Sequence, residues 1–180
     1  MSTVAVPLAE GFEEAEAVII IDLLRRGGVE VAVAGLEKEA VTGAHGITIQ
    51  CDGLLSGAAA LALDGVVLPG GMPGTKNLLK SSLVRDLIVR LNREGKLVAA
   101  VCAAPIVLAA AGALKGKKAT CYPGFESDLK DATFVKEPVV VDGNIITSRG
   151  PGTAAAFALA LLACLKGPEV SEEVRKAILA

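Results

Sequence analysis

The chain has 180 residues, 52% hydrophobic but only 3% aromatic, with a formal net charge of −2. That length suits a single domain, residues 1–180, whose core is built from Ala, Val, Leu and Ile. The lack of a basic stripe argues against a nucleic-acid surface. The longest apolar run, residues 154–165, is too short to cross a bilayer.

Thr3–Leu8 predicts a first strand. Glu13–Arg26 predicts an amphipathic helix with acids in its first turn and Arg25-Arg26 in its last, stopped by Gly27-Gly28. Val29–Ala34 predicts the next strand, so the chain opens as a βαβ unit with a parallel sheet. The loop after the first strand holds one glycine and the carboxylates Glu10, Glu13, Glu14 and Glu16. A phosphate cradle would need glycines there, and acids repel phosphate, so a bound nucleotide or flavin is disfavoured and no cofactor is expected. Charge pairing at a helix N-terminus accounts for most of these acids. One of them, on the sheet edge, is placed to hydrogen-bond a thiolate if it keeps its own proton.

Ala40–Cys51 predicts a strand pair around the turn Gly43-Ala-His45-Gly46. His45, the one histidine, reads as a surface or interface residue rather than a ligand. With no second histidine and no ligand pair at metal spacing, no metal is expected. Residues 57–64 predict a helix. Gly65–Pro69 is a buried strand ending in Gly70-Gly71-Met-Pro-Gly74, whose backbone N–H groups can approach a ligand or form half of an oxyanion hole. Ser82–Glu94 predicts a helix that feeds the next strand.

Residues 97–101 are apolar and unbroken, then comes Cys102, then a predicted helix, 103–111, with Pro105 in its first turn. A cysteine at a sharp strand-to-helix turn stands at the carboxyl edge of the sheet, in the geometry of a nucleophile elbow. A thiol facing a helix N-terminus is expected to have a lowered pKa and to be partly thiolate at neutral pH. A buried structural cysteine is the alternative, and this stretch alone leaves both open.

Lys118–Cys121 predicts a short strand before Tyr122-Pro, and Phe125–Leu129 a helical turn. Val139–Asp142 and Asn144–Ser148 flank the hairpin turn Asp142-Gly143. Thr147-Ser-Arg149-Gly150-Pro151-Gly-Thr153 leads into a helix, 154–165, with Thr153 as its cap. Arg149 reads equally as a substrate anchor or a structural arginine. Ser171 is expected to cap the last helix. No export signal is seen, and the four scattered cysteines are expected to be reduced thiols in the cytoplasm.

Four segments in this order, Gly11-Phe-Glu-Glu-Ala-Glu16, Leu68-Pro-Gly-Gly71, Ala100-Val-Cys102-Ala-Ala-Pro105 and Thr147–Thr153, resemble the DJ-1 family of the DJ-1/PfpI superfamily over nearly the whole chain. The resemblance implies a flavodoxin-like α/β sandwich, with a mostly parallel central sheet, helices on both faces and the cysteine at the elbow, and a homodimer. It implies that Cys102 is the reactive, oxidisable thiol, that Glu16 is the protonated carboxyl beside it, and that the amides of Gly71 and Ala103 line the oxyanion side. Gly70, Tyr122, Arg149, Pro151 and His45 complete the candidate pocket. Two departures stand out. Tyr122 occupies the place where many members carry a histidine, and His45 the place where relatives often carry an arginine near the dimer contact. Ala103 after the cysteine is unlike PfpI-type proteases, and the lack of a late histidine is unlike glutamine amidotransferases.

The activity implied is cysteine-dependent detoxification of small dicarbonyls, or repair of glycated side chains, by glutathione-independent glyoxalase or deglycase chemistry. The thiolate adds to an aldehyde, Glu16 moves a proton, and water releases a 2-hydroxy acid. The alternative is a redox sensor or stress-protective chaperone in which Cys102 is oxidised to a sulfinate without turnover. A catalytically idle binding module is a third reading. Pairing of Cys121 with Cys102 under oxidation stays open.

Overall fold

The structure, a computed structural model, describes residues 2–180. In chain order the strands and helices are β1 (Thr3–Leu8), α1 (Glu14–Arg26), β2 (Glu30–Gly35), β3 (Ala40–Thr42), β4 (Thr48–Gln50), β5 (Gly53–Leu54), α2 (Leu55–Ala58) and β6 (Gly65–Leu68). They continue with α3 (Gly74–Lys80), α4 (Ser82–Arg93), β7 (Leu97–Val101), α5 (Pro105–Ala110), β8 (Lys118–Ala119) and β9 (Thr133–Phe134). The chain closes with β10 (Val139–Asp142), β11 (Ile145–Ser148), α6 (Ala154–Lys166) and α7 (Pro168–Ala177).

Seven strands form the central sheet in the order β10-β11-β7-β6-β1-β2-β5. All neighbours are parallel except the β10–β11 hairpin. Strand periodicity divides the core into two layers. Val4, Val6, Leu97, Ala99 and Val101 pack on one face with α1, α6 and α7, whereas Ala5, Val98 and Ala100 pack on the other with α3, α4 and α5. Each large aliphatic side chain buried this way stabilises the fold by about 1.5–3 kcal/mol. The result is the flavodoxin-like sandwich expected from the sequence.

Some local expectations change. The predicted helix 57–64 shrinks to α2, because its alanines and Gly57 have no long apolar face to bury. Helix α3 was not anticipated; it follows directly from the glycine turn and buries Thr75 and Leu78. Ser171 caps nothing. Pro168 starts α7 immediately after Gly167, which places Ser171 inside the helix with its hydroxyl donating to Leu159 O at 2.8 Å. Thr153 stands at the N-cap of α6 but makes no capping bond there. Its hydroxyl instead accepts from Gly150 N at 3.1 Å and lies 2.6 Å from Ser148 Oγ.

The topology fixes where a site can form. From β1 the chain runs to β2 and β5 on one side, then returns to β6 on the other side of β1. Open α/β sheets carry their crevice at the carboxyl ends of the strands flanking such a switch. Among the described residues no helix is long and apolar enough to cross a membrane.

Candidate active site

Three loops meet beyond the carboxyl ends of β1, β6 and β7. The first carries Glu16, one turn into α1. It is fully buried, and its Oε2 accepts the N–H of Gly70 at 2.8 Å. The second is the Gly70-Gly71 turn. A Cβ at Gly70 would stand 2.6 Å from the Cys102 Cβ and 3.0 Å from Glu16 Oε2, so only glycine lets the turn approach this closely. Gly71 has φ +88°, and a Cβ there would meet Glu13 N at 2.3 Å.

The third loop is the elbow. Cys102 has φ 63°, left-handed backbone in a residue other than glycine. Such a conformation costs on the order of 1–3 kcal/mol and needs surroundings that hold it. Those surroundings are visible: Cys102 N donates to Ser148 O at 3.0 Å, and Cys102 O accepts Tyr122 N at 2.8 Å. Ser148, a brace on β11, was not singled out in the sequence. It is fully buried, and its hydroxyl donates to Pro138 O at 2.8 Å.

The thiol is half-buried, and the backbone N–H groups of Ala103 and Gly71 favour its ionised form. Glu16 Oε1 has no hydrogen-bond partner among the described residues, and the carboxyl as a whole feels the Cys102 thiol. Burial pushes the Glu16 carboxyl up to about 7, against the Gly70 N–H and the thiol, which favour its ionised form, with Glu13 adding repulsion. The expected lowered pKa of Cys102 is not what the structure shows. Burial, then the negative charge of Glu16, pushes the thiol up to about 12, and the two amides only partly offset them. The helix dipole is a weak counterweight, since α5 has six residues and begins three positions after the cysteine. Cys102 and Glu16 are therefore a coupled pair that holds one negative charge at a time. While Glu16 keeps its proton, the repulsion on a thiolate is absent and the amides of Gly71 and Ala103 stand ready to hold it.

The other predicted residues scatter around this centre. Tyr122 is 46% exposed and packs on the Gly150 backbone, where a Cβ would come within 3.2 Å of its ring. Pro151 is exposed at the start of a short 3₁₀ turn. The Arg149 guanidinium lies 6.0 Å above the Phe134 ring, and its charge bears on Cys121 and Glu126. Cys121 is fully buried in the core layer opposite to the one against which Cys102 packs.

His45 has Glu13 and Glu14 as ring partners. Its Nδ1 lies 2.9 Å from Glu14 Oε2 and 3.7 Å from Glu13 Oε2. Sequence spacing hid this trio, whose ligand atoms all lie within 4.8 Å of one another. Its donors are already engaged: Glu14 Oε1 accepts His45 N at 2.7 Å and Ile47 N at 3.3 Å. The trio is a hydrogen-bonded clasp, three of whose bonds fall on Glu14.

The profile of the DJ-1/PfpI family matches residues 2–164. Protein dj-1beta of Drosophila melanogaster is 46% identical over 175 residues, 96% of this chain and 94% of that protein. Its crystal structure superposes with a TM-score of 0.96, covering 100% of this chain and 99% of that one. Protein DJ-1 homolog B of Arabidopsis thaliana is 43% identical, but the match takes in 95% of this chain and only 40% of that protein. The chain thus spans less than half the length of the matched Arabidopsis relatives, homologs A and B. Glutathione-independent glyoxalase DJR-1.2 of Caenorhabditis elegans is 34% identical over 93% of this chain and 90% of that protein. A cysteine on a strained elbow, a buried carboxyl against it and this extent of similarity have one conclusion: the chain belongs to the DJ-1/PfpI family.

Proposed function

We propose that the protein is a cysteine-dependent enzyme acting on small reactive dicarbonyls, of the glutathione-independent glyoxalase type. The observation that carries this reading is the Glu16–Cys102 pair. A buried carboxyl near 7 stores a proton beside a sulfur that two amides can hold as an anion. The thiolate adds to the aldehyde carbon of methylglyoxal and forms a hemithioacetal, its alkoxide taking the proton of Glu16, which is left as the carboxylate. Glu16 carries the C1 proton to C2, leaving a thioester of the 2-hydroxy acid. Water cleaves the C–S bond, releasing lactate and returning the thiol, so one water is consumed for each dicarbonyl. Repair of glycated side chains would begin with the same addition. The name of the Caenorhabditis elegans relative supports this class of chemistry.

The test is methylglyoxal consumption by purified protein beside Cys102→Ser, with lactate quantified. Stoichiometric lactate that disappears in the variant is expected. No turnover in the parent protein would overturn the enzymatic reading.

A second reading rests on the same two amides. The N–H groups of Gly71 and Ala103, with a protonated Glu16, are suited to hold a sulfinate on Cys102, which would make the protein a redox sensor or stress-protective chaperone. Mass spectrometry after peroxide treatment separates the two: rapid sulfinate formation with no lactate favours the sensor.

We propose in addition that the protein works as a homodimer in the cytoplasm. The supporting feature is an open apolar groove lined by Val18, Ile21 and Ile49, with Arg25 and Asp52 beside it. Sedimentation of the parent protein and Val18→Glu tests it: a monomer in both would rule it out.

A further inference from the structure

The entrance to α1 is tied down from outside by the β3–β4 hairpin. Gly11 N donates to Thr42 O and Ala44 N donates to Phe12 O, each at 2.8 Å. The turn wraps the Glu14 carboxylate so tightly that a Cβ at Gly43 would stand 2.2 Å from its carbon. His45 Nδ1 closes the clasp on Glu14 and reaches toward Glu13. The next link runs into the active site. Glu13 N donates to Gly70 O at 2.9 Å, and Gly70 N donates to Glu16 Oε2 at 2.8 Å. One residue, Gly70, thus joins the clasped segment to the carboxyl that faces Cys102.

We propose that His45 is a proton-operated positioning residue: by bridging Glu13 and Glu14 it couples its own protonation to the proton held by Glu16, and so to the readiness of the Cys102 thiol. Within one chain, the groups that face the imidazole are Glu14, on α1, and Glu13, just before it. At the base of the hairpin, Lys38 and Glu10 are paired with each other at 2.9 Å and Glu10 also accepts Thr42 N. Bonding to Glu14 first, then the charges of Glu13 and Glu14, raise the imidazole above its ordinary value of 6.5. The clasp is therefore at full strength below the ordinary histidine range and weakens as pH rises through the raised value. While His45 is charged it compensates Glu13, and Glu16 gives up its proton more easily. Once His45 is neutral, the uncompensated Glu13 charge makes Glu16 hold its proton to higher pH. Because linkage is reciprocal, the state of Glu16 must in turn move His45.

The coupling acts on the thiol and not on a substrate, so the readouts are titration and alkylation and not turnover. His45 is the chain's one histidine, and its ring protons give a single titration curve by NMR. The rate of Cys102 alkylation by iodoacetamide, corrected with Cys102→Ser, gives the companion pH profile. Glu13→Gln is expected to lower the His45 midpoint. Glu16→Gln is expected to lower it too, by about 0.3 pH unit, the size of a solvent-screened interaction. His45→Arg should move the Glu16-dependent inflection of the alkylation profile to lower pH, and His45→Gln to higher pH, by a similar amount. A purely structural clasp would shift thermal stability and leave both profiles in place. If the His45 curve ignores Glu16→Gln and the two His45 variants overlay the parent profile, the proposal is wrong.

Discussion

The two edges of the central sheet are built by different rules. At the amino edge the polar groups are paired with one another. Thr3 N donates to Asp64 Oδ2 at 2.9 Å, and Asp64 N to Thr3 O at 2.7 Å. The Asn144 side-chain amide donates to Asn92 Oδ1 at 3.0 Å and Lys96 O at 2.9 Å, and Lys96 Nζ donates to Leu63 O at 2.6 Å. At or near the carboxyl edge lie the buried side-chain atoms that lack a partner among the described residues: Glu16 Oε1, Thr75 Oγ1, Thr120 Oγ1 and Arg149 Nη1. The left-handed backbone of Cys102 is there as well. Buried polar groups are normally satisfied, and each exception costs about 1–3 kcal/mol. One edge holds the strands together; the other keeps hydrogen-bonding capacity and strain available for chemistry.

Four substitutions would break or sharpen that contrast. The largest effect is expected from Glu16→Gln, read as stability against pH. In the parent protein the folded-state value near 7 lies above the ordinary 4.5. Folding then takes up a proton between those values, so this group's contribution is favourable below 4.5 and declines as pH rises through 7. The full decline is about 3 kcal/mol at most. Urea midpoints at pH 5 and pH 8 should differ by correspondingly less in the variant, and its Cys102 alkylation should lose the inflection near neutrality. An unchanged pH dependence would mean that Glu16 is not the stored proton.

Gly70→Ala comes next. The added methyl meets the Cβ of Cys102 and the oxygen of Glu16, neither of which can swing away, so a loss of about 1–3 kcal/mol is expected together with altered thiol reactivity. Asn144→Ala, at the opposite edge, should cost about 1–2 kcal/mol in urea unfolding yet leave the alkylation rate untouched. If that variant slowed alkylation as Gly70→Ala does, the separation of the two edges would fail. Glu14→Gln is expected to show its effect near neutrality and to lose it in acid. Burial opposes the ionised Glu14, but His45 and the surrounding N–H groups outweigh it and hold the carboxyl at about 2. Its contribution is present above 4.5 and lost as pH falls through 2, so the parent and the variant should converge in acid unfolding.

Much of this was legible in the sequence because the signals are local. Unbroken apolar runs such as 97–101 mark strands buried on both faces, and Gly70-Gly71 and Ala103-Ala104 mark turns where a Cβ or a bulky side chain would collide. Those features mark Cys102 as the residue on a strand-to-helix elbow and Gly70-Gly71 as a tight turn. The fate of the acids was less legible, since charge pairing at the helix start accounted for them as a group. In the structure Glu10 pairs with Lys38, Glu14 is wrapped by the hairpin, Glu16 turns inward, and none of them caps the helix. The partners come from 28 to 54 positions away, beyond the reach of any local pattern.

Local sequence specified the βαβ opening, the buried strand 97–101, the glycine turns and the identity of the one cysteine on an elbow, because backbone sterics and burial periodicity act over a few residues. Tertiary structure alone decided the proton affinities of Cys102 and Glu16 and the partners of His45. Those depend on how far each group is removed from water and on which charge the fold brings beside it. The reversal at Cys102, expected low and found high, has that cause: the helix start that would lower it is local and short, whereas the burial and the Glu16 charge that raise it are supplied by the packed sheet.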